Sequence, residues 1–347
     1  MSNWVLGVSL LLWLMGFLLL RHLRPCPSSG RVAPRGLLSV IIPARNEEDS
    51  LPRLLRSLAE QSPPPNQIIV VDDASTDATA EIARKHGATV ISPPPLPEGW
   101  RGKTWACQQG AAAAAGDLLL FVDADTWFEP DGLGRLLGAF QGGAFSVGPY
   151  HAVERLIESL SLFFNLNMVV GTAPQGLFGQ VLLVGRSTYF MVGGHESVRG
   201  RILENLHLAD QFRKAGFFVG SRAGRGVCSF RMYPNGLKEL VPGWSKAFAS
   251  GASRARRSVL ALLILWKTGL MLVPIGLAVT ANWTQWGIAY LLCAAQVAWF
   301  GRKVGSFHWS GLVLYPIPLV FFFIVFARSA FQSGKEVRWK GRVIRAD

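Results

Sequence analysis

The sequence predicts a mostly parallel α/β sheet with helices on both faces, flanked at both ends of the chain by transmembrane helices. Three observations predict it. Short apolar runs alternate with helical segments from residue 37 to about 140; an unbroken apolar stretch, 4–20, is followed at once by Arg21, His22 and Arg24; and three more apolar stretches, 259–281, 286–300 and 309–327, follow a basic cluster at Arg254, Arg256 and Arg257. Composition agrees with a mixed protein. The 347 residues are 50% hydrophobic with mean hydropathy +0.28, too apolar for an ordinary soluble enzyme and too charged for a pure membrane bundle.

In chain order, 37–43 reads as a strand, 48–61 as a helix, 68–73 as a strand, 77–86 as a helix and 89–92 as a strand. An alanine-rich helix at 103–115 and a strand at 117–123 complete the run. Strands separated by helices of this length build a parallel sheet covered on both sides. Ligands bind such sheets beyond the carboxyl ends of the strands. Pro43-Ala44-Arg45-Asn46-Glu47, Asp72-Asp73 and Asp123-Ala124-Asp125 all occupy that edge. Further on, 153–170 reads as an apolar helix of membrane-interface character, 182–192 contains a strand, and 203–215 is a helix ended by Gly216.

Charge orients the apolar stretches. Basic residues after the first stretch reverse the order of a cleaved signal peptide, so the N-terminus is expected outside and residue 21 onward in the cytoplasm. Asn282 to Gln285 carries no charge and suits the outside, whereas Arg302-Lys303 returns inside. The basic tail also belongs inside, so 309–327 must begin and end on one face, as a re-entrant hairpin broken at Pro316 and Pro318; a kinked span with the tail outside is the competing reading. Lys267, deep in its stretch, must snorkel, pair or line a polar cavity. The expected organisation is an anchor at 1–24, a cytoplasmic domain at 36–252, a membrane region at 253–330 and a basic cytoplasmic tail at 331–347, in a multi-pass protein of the plasma membrane.

The net charge of +13 comes with no aromatic-basic motif, so no nucleic acid is expected. Anionic membrane lipids and a nucleotide pyrophosphate are the expected partners. Cys26, Cys107, Cys228 and Cys293 share no metal-ligand spacing and read as free thiols. His151, His195 and His207 have none either and are expected in turns or on helix surfaces.

The acidic motifs each have two readings. Asp123-Ala124-Asp125 is either a turn or cap or a site for a divalent cation, since Mg²⁺ takes one or two carboxylates and completes its shell with phosphate and water. In Asp72-Asp73-Ala74-Ser75-Thr76-Asp77, either Ser75 or Asp77 caps a helix, or a carboxylate accepts the N–H of a base such as uracil. Gly99-Trp100-Arg101-Gly102-Lys103 is either a loop with a tryptophan packed on the sheet, or places Lys103 and free helix amides before a pyrophosphate.

Taken together, these motifs over about 37–252 resemble the family 2 glycosyltransferases, inverting enzymes of the GT-A nucleotide-sugar-binding fold. The Trp-x-Gly-Lys-x-Trp pattern at 100–105 and the segments at 230–236, 243–246 and 337–342 are similar to the branch acting on hopanoid and carotenoid lipids. The resemblance implies a UDP-sugar donor, with glucose as the sugar, and a polyisoprenoid lipid acceptor. Pro43, Arg45 and Glu47 would line the nucleotide pocket, and Asp73 with Asp72 would hold the uracil. Asp123 would approach ribose and metal, Asp125 would ligate Mg²⁺ or Mn²⁺, and Arg231 would touch the diphosphate. Where the family carries Gln-x-x-Arg-Trp, this chain has Gly243-Trp244-Ser245-Lys246; Trp244 either flanks the acceptor channel or sits at the bilayer interface, and Lys246 falls on the same acceptor side.

One departure matters. The family places Glu-Asp before a helix, the Asp serving as general base, and this chain has Glu204-Asn205. An amide cannot take a proton. Glu204 is then the base, or the chain is a catalytically silent relative, or the acceptor needs no base. A carboxylic acid of pKa about 4 to 5 is already ionised at neutral pH, whereas an alcohol gains roughly 10² to 10⁴ in rate from a base. The departure therefore fits a glycosyl ester, with Asn205 holding the acceptor carboxylate; a hopanoid or lipid alcohol and a lipid phosphate are the other acceptors.

Overall fold

The computed structural model describes residues 3–21, 23–27, 36–201, 203–234, 236–251, 257–332, 337–339 and 342–344. Arg254, Arg256, Lys335, Lys340 and Arg345, and the side chain of Lys246, lie outside the described residues. The chain forms two compact units, one of 1–24, 151–171 and 232–335, the other of 25–150, 172–231 and 336–347.

The second unit is built on a seven-stranded sheet. Its strands are β1 (Leu38–Ala44), β2 (Gln67–Asp72), β3 (Thr89–Ile91), β4 (Leu118–Val122), β6 (Ala144–Gly148), β8 (Val181–Gly185) and β9 (Val219–Ala223), with β5 (Thr126–Phe128) and β7 (Tyr150–His151) outside it. Spatial order is β3-β2-β1-β4-β8-β6-β9. β1 runs parallel to β2 and β4, and β2 to β3; β8 alone is antiparallel to its neighbours β4 and β6, and β9 is parallel to β6. β10 (Cys228–Phe230) pairs antiparallel with β5, and β11 (Val337–Trp339) with β12 (Arg342–Ile344).

Alternation along β1 makes the two faces. Val40 and Ile42 pack with Leu51, Leu54, Leu55 and Leu58 of α2 (Leu51–Ala59) on one side, while Ile41 packs with Ala106, Cys107 and Ala111 of α4 (Gly102–Ala113) on the other. α3 (Thr79–Lys85) and α5 (Gly132–Ala139) cover the first face, α7 (Arg186–Met191) follows β8, and α8 (Glu204–Lys214) adds Leu208, Ala209 and Phe212 to the second core. The helix expected from 48 begins at Leu51, because 47–50 form a turn in which Glu47 accepts from the amides of Ser50 and Leu51. Small residues let α4 lie close to β1. A Cβ on Gly110 would stand 2.4 Å from Ile41 Cγ2.

The first unit contains α1 (Asn3–Leu20), the start of α6 (Leu162–Thr172), α9 (Leu237–Gly251), α10 (Arg257–Val279), α11 (Trp283–Val304), α12 (Trp309–Val313) and α13 (Pro316–Gln332). α1 crosses α10 closely at Gly269, where a Cβ would lie 2.8 Å from Ser9 O. Gln296 of α11 bolts the crossing: its Nε2 donates to Trp13 O at 3.1 Å and its Oε1 accepts from Trp266 Nε1 at 2.8 Å. Every polar group so placed among apolar helices must find its partner within the protein. One described helical segment, Ser258–Val279, is long and apolar enough to cross a membrane; Trp4–Leu20, Leu156–Thr172 and Pro316–Ser329 are shorter apolar helices. The expected span at 286–300 falls inside α11, whose Gln285, Gln296, Arg302 and Lys303 dilute its apolar character. The stretch 309–327 does break before Pro316, giving α12 and α13.

Replacing Gly110 by valine should wedge α4 off β1 and lower the unfolding free energy by about 1–3 kcal/mol. Thermal unfolding of the detergent-solubilised protein would register this as a lower midpoint; an unchanged midpoint would contradict the close packing.

Candidate active site

β1 and β2 end side by side, with Ala44 opposite Asp72, and the loops that leave them are laced together. Ser75 Oγ accepts from Asn46 N at 3.0 Å, Asn46 Oδ1 from Thr76 N at 2.9 Å, Thr79 Oγ1 from Glu47 N at 2.8 Å, and Glu48 Oε2 from Ala78 N at 3.1 Å. Asn46 and Ala74 hold φ of 53° and 57°, a left-handed conformation costing roughly 1–2 kcal/mol per residue, which this lacing sustains. Asp72 Oδ1 accepts from Ser75 N at 3.0 Å, so Asp72 serves the turn. Asp77 Oδ1 accepts from Thr79 N at 3.0 Å. Burial works against the Asp77 carboxylate, yet the hydrogen bonds from Thr79 and Glu48 outweigh it and hold its pKa below the ordinary value. Across this edge Arg45 Nη1 donates to Asp73 O at 2.8 Å and lies 3.9 Å from its carboxylate. Pro43, Arg45, Glu47 and Asp73 are all half-buried there.

The centre of the edge is Lys103. Its Nζ lies 2.6 Å from Asp123 Oδ1 and 2.8 Å from Oδ2, 3.0 Å from Gly179 O and 3.6 Å from Glu204 Oε1. Three elements meet here for identifiable reasons. Asp123 follows β4, its amide donating to Gln180 O at 2.9 Å. The start of α4 is tied to the segment before α8, because Arg101 N donates to Arg199 O at 3.1 Å and Arg101 Nε to Gly200 O at 2.8 Å. That tie brings the first turn of α8, with Glu204 and Asn205, against Lys103. Asn205 Nδ2 donates to Glu204 Oε1 at 3.0 Å. Gly179 leaves room for the Asn205 amide: a Cβ there would stand 2.5 Å from Asn205 Nδ2 and 3.6 Å from Lys103 Nζ, and that amide would have to shift.

Burial opposes the Lys103 charge, but Asp123 and Glu204 more than reverse this and raise its pKa above the lysine norm. Burial raises the Glu204 pKa, with Lys103 working the other way. The result is a fixed ammonium flanked by two carboxylates at the head of a helix. Trp100 meets Trp105 edge-on at 4.9 Å, so the tryptophans of this motif pack on each other.

His195 corrects an expectation of surface exposure: it is 1% exposed. Its Nδ1 lies 2.8 Å from Tyr189 Oη, which also accepts from His195 N at 3.0 Å, and its ring meets Phe121 edge-on at 4.9 Å. Burial, with the Lys103 charge second, pushes its pKa down to about 3. His151 is likewise buried, its Nδ1 2.7 Å from Asn165 Nδ2. Sequence reading missed both because their partners are distant or unremarkable in the chain. All four cysteines are buried and free.

Arg231 directly follows β10 and is half-buried. Trp244 is 3% exposed, stacks on Phe164 at 4.9 Å and donates to Ser161 Oγ at 3.2 Å; a side chain so enclosed supports packing in the first unit, in place of the interfacial or channel position expected. Among the described residues no three His, Cys, Asp or Glu side chains converge into a protein-only metal cage. Asp123 and Asp125 offer hard oxygens one residue apart, a donor set that fits Mg²⁺ or Mn²⁺ when phosphate and water supply the other ligands.

Residues 39–158 match the family model described as "Glycosyl transferase family 2". The chain is 34% identical over 328 residues to the 4,4'-diaponeurosporenoate glycosyltransferase of Staphylococcus aureus strain MRSA252, covering 88% of this chain and 87% of that protein. It is equally similar to the protein of that name from strain USA300. Among solved structures it is similar to the mannosyltransferase PcManGT from Pyrobaculum calidifontis in complex with GDP-Man and Mn²⁺, with TM-score 0.57, 18% identity and 95% of each chain covered. At that identity the likeness is one of fold, and it shows the GT-A architecture.

Because the His195 pKa is depressed, the neutral ring's contribution to stability is complete above about pH 6.5 and is lost as pH falls towards 3. Stability against thermal unfolding should therefore fall between pH 7.5 and 5, by at most about 1.4 kcal/mol per pH unit from this group. In His195→Asn that slope should flatten; an unaltered slope would contradict the assignment.

Proposed function

The chain belongs to glycosyl transferase family 2, and we propose that it is a membrane-bound, metal-dependent inverting enzyme moving glucose from UDP-glucose to the carboxylate of a polyisoprenoid or carotenoid acid, forming a glycosyl ester. The observation that carries this reading is the pair at the start of α8. Glu204 faces Lys103 at 3.6 Å and accepts from Asn205 at 3.0 Å, so the position beside it offers an amide donor and no base. A carboxylate acceptor needs none. Similarity to an enzyme whose name specifies a diaponeurosporenoate supports an acid as the acceptor class.

In this reading Asp73 and Arg45 hold the uracil, with Pro43 and Glu47 lining its pocket and Asp72 shaping the turn. Asp123 is oriented by Lys103 towards the ribose. The Lys103 ammonium and the amides opening α4 form a preorganised positive field for the departing diphosphate, aided by Arg231. Asn205 uses its second N–H to orient the acceptor carboxylate. The acceptor oxygen bonds to the anomeric carbon on the face opposite the breaking sugar–phosphate bond, inverting its configuration. Mg²⁺ or Mn²⁺, held by Asp125 with Asp123, would neutralise charge on the diphosphate.

The apolar helices α1, α10 and α11 and the broken pair α12–α13 form the membrane region in this account, with 36–252 in the cytoplasm and the tail at 331–347 on the same side. Lys246 falls within α9 in the sequence, and in this reading it would serve the acceptor.

Membranes carrying the protein, incubated with labelled UDP-glucose and an apocarotenoid acid, should yield a lipid product cleaved by mild alkali. An alkali-stable product made from lipid alcohols, abolished in Glu204→Gln, would establish the general-base reading instead. Lys103→Met should lower turnover by about 10² to 10³; activity within threefold of wild type would remove Lys103 from the site.

A further inference from the structure

The amine of Lys267 of α10 is enclosed among apolar helices, 4% exposed. Its Nζ donates to Asn167 Oδ1 at 2.7 Å and stands 3.7 Å from the centroid of the Phe322 ring. Among the described residues the ion pairs lie elsewhere. An ammonium has three N–H donors, and this one meets a neutral amide and a ring face. Both partners favour the protonated amine but neither neutralises it, so in apolar surroundings the charged form is favoured once an anion pairs with it.

The surroundings indicate what kind of anion would pair with this amine. Phe322 packs edge-on to Phe164 at 5.1 Å and stacks on Phe326 at 6.2 Å, giving an apolar, aromatic wall beside the cation. Asn167 is half-buried, whereas Lys267 is only 4% exposed, so the amide side is the more accessible one. A single buried positive charge beside aromatic rings suits an amphiphile with a long unsaturated tail and one anionic head.

We propose that Lys267 and Asn167 form a capture site for the carboxylate of the apolar acid acceptor, Lys267 pairing with the anion and Asn167 donating its amide N–H. The proposal rests on the acceptor class given above and adds a selectivity device: acids are admitted and neutral analogues of the same shape are not. Lys267 is a binding residue, and the transfer chemistry stays with the Lys103 cluster.

The test uses the full chain in phosphatidylcholine nanodiscs, with parinaric acid, a fluorescent polyene fatty acid, and its methyl ester as probes. Wild type should bind the acid at least tenfold more tightly than the ester. Lys267→Met should reduce acid binding to the level of the ester, and Lys267→Arg should retain the preference. Asn167→Asp places a carboxylate beside the ammonium, so it should fold at least as well as wild type and still lose the acid preference. Equal binding of acid and ester by wild type, or a preserved preference in a monodisperse Lys267→Met protein, would overturn the proposal. Displacement of the acid by phosphatidylglycerol bound more tightly would likewise overturn it, in favour of a phospholipid site. Acid preference without any transfer to acids would refute the acceptor assignment alone; transfer to acids without acid preference would refute the capture site alone.

Discussion

The contact on which the active-site edge depends is the ion pair between Lys103 and Asp123, 2.6 Å long and joined by Glu204 at 3.6 Å. It ties the head of α4 to the end of β4 and the start of α8. One positive charge between two carboxylates is balanced only as a set. Removing Lys103 would leave two like charges facing each other in a partly desolvated place; removing either acid would leave the ammonium underpaired.

In the proposed reading that arrangement also divides the chemistry. Asp123 is already turned towards Lys103, and Asp125 lies two residues further along. Glu204 is held by Lys103 and Asn205; burial raises its pKa, with Lys103 working the other way. On the proposed function, catalytic stabilisation would be concentrated on the leaving diphosphate, the component whose charge grows most as the sugar bond breaks. An acceptor that arrives ionised completes this division of work.

Much of the fold was legible in the sequence because β1, β2 and β4 are buried on both faces and read as continuous apolar runs. The antiparallel insertion of β8 was not legible, since its run Val181 to Gly185 looks like any buried strand and only pairing reveals direction. The site was legible as separate motifs: Asp123, Lys103 and Glu204 were each singled out, but they are 20 and 81 or more positions apart, and their meeting depends on backbone ties at Arg101 and Arg199. Gly179 left no signal beyond being a glycine. Buried histidines were misjudged because neutral imidazole is tolerated inside when it finds Tyr189 or Asn165, which no periodicity announces. Lys267 was flagged correctly as anomalous, and packing supplied its partner, Asn167.

The most direct measurement of the central claim is the pH dependence of transfer from UDP-glucose to an apocarotenoid acid by wild type and Glu204→Gln. Without a general base at the acceptor, the two profiles should have the same shape above the acceptor's own ionisation. A basic limb present in wild type and absent from Glu204→Gln would contradict the account.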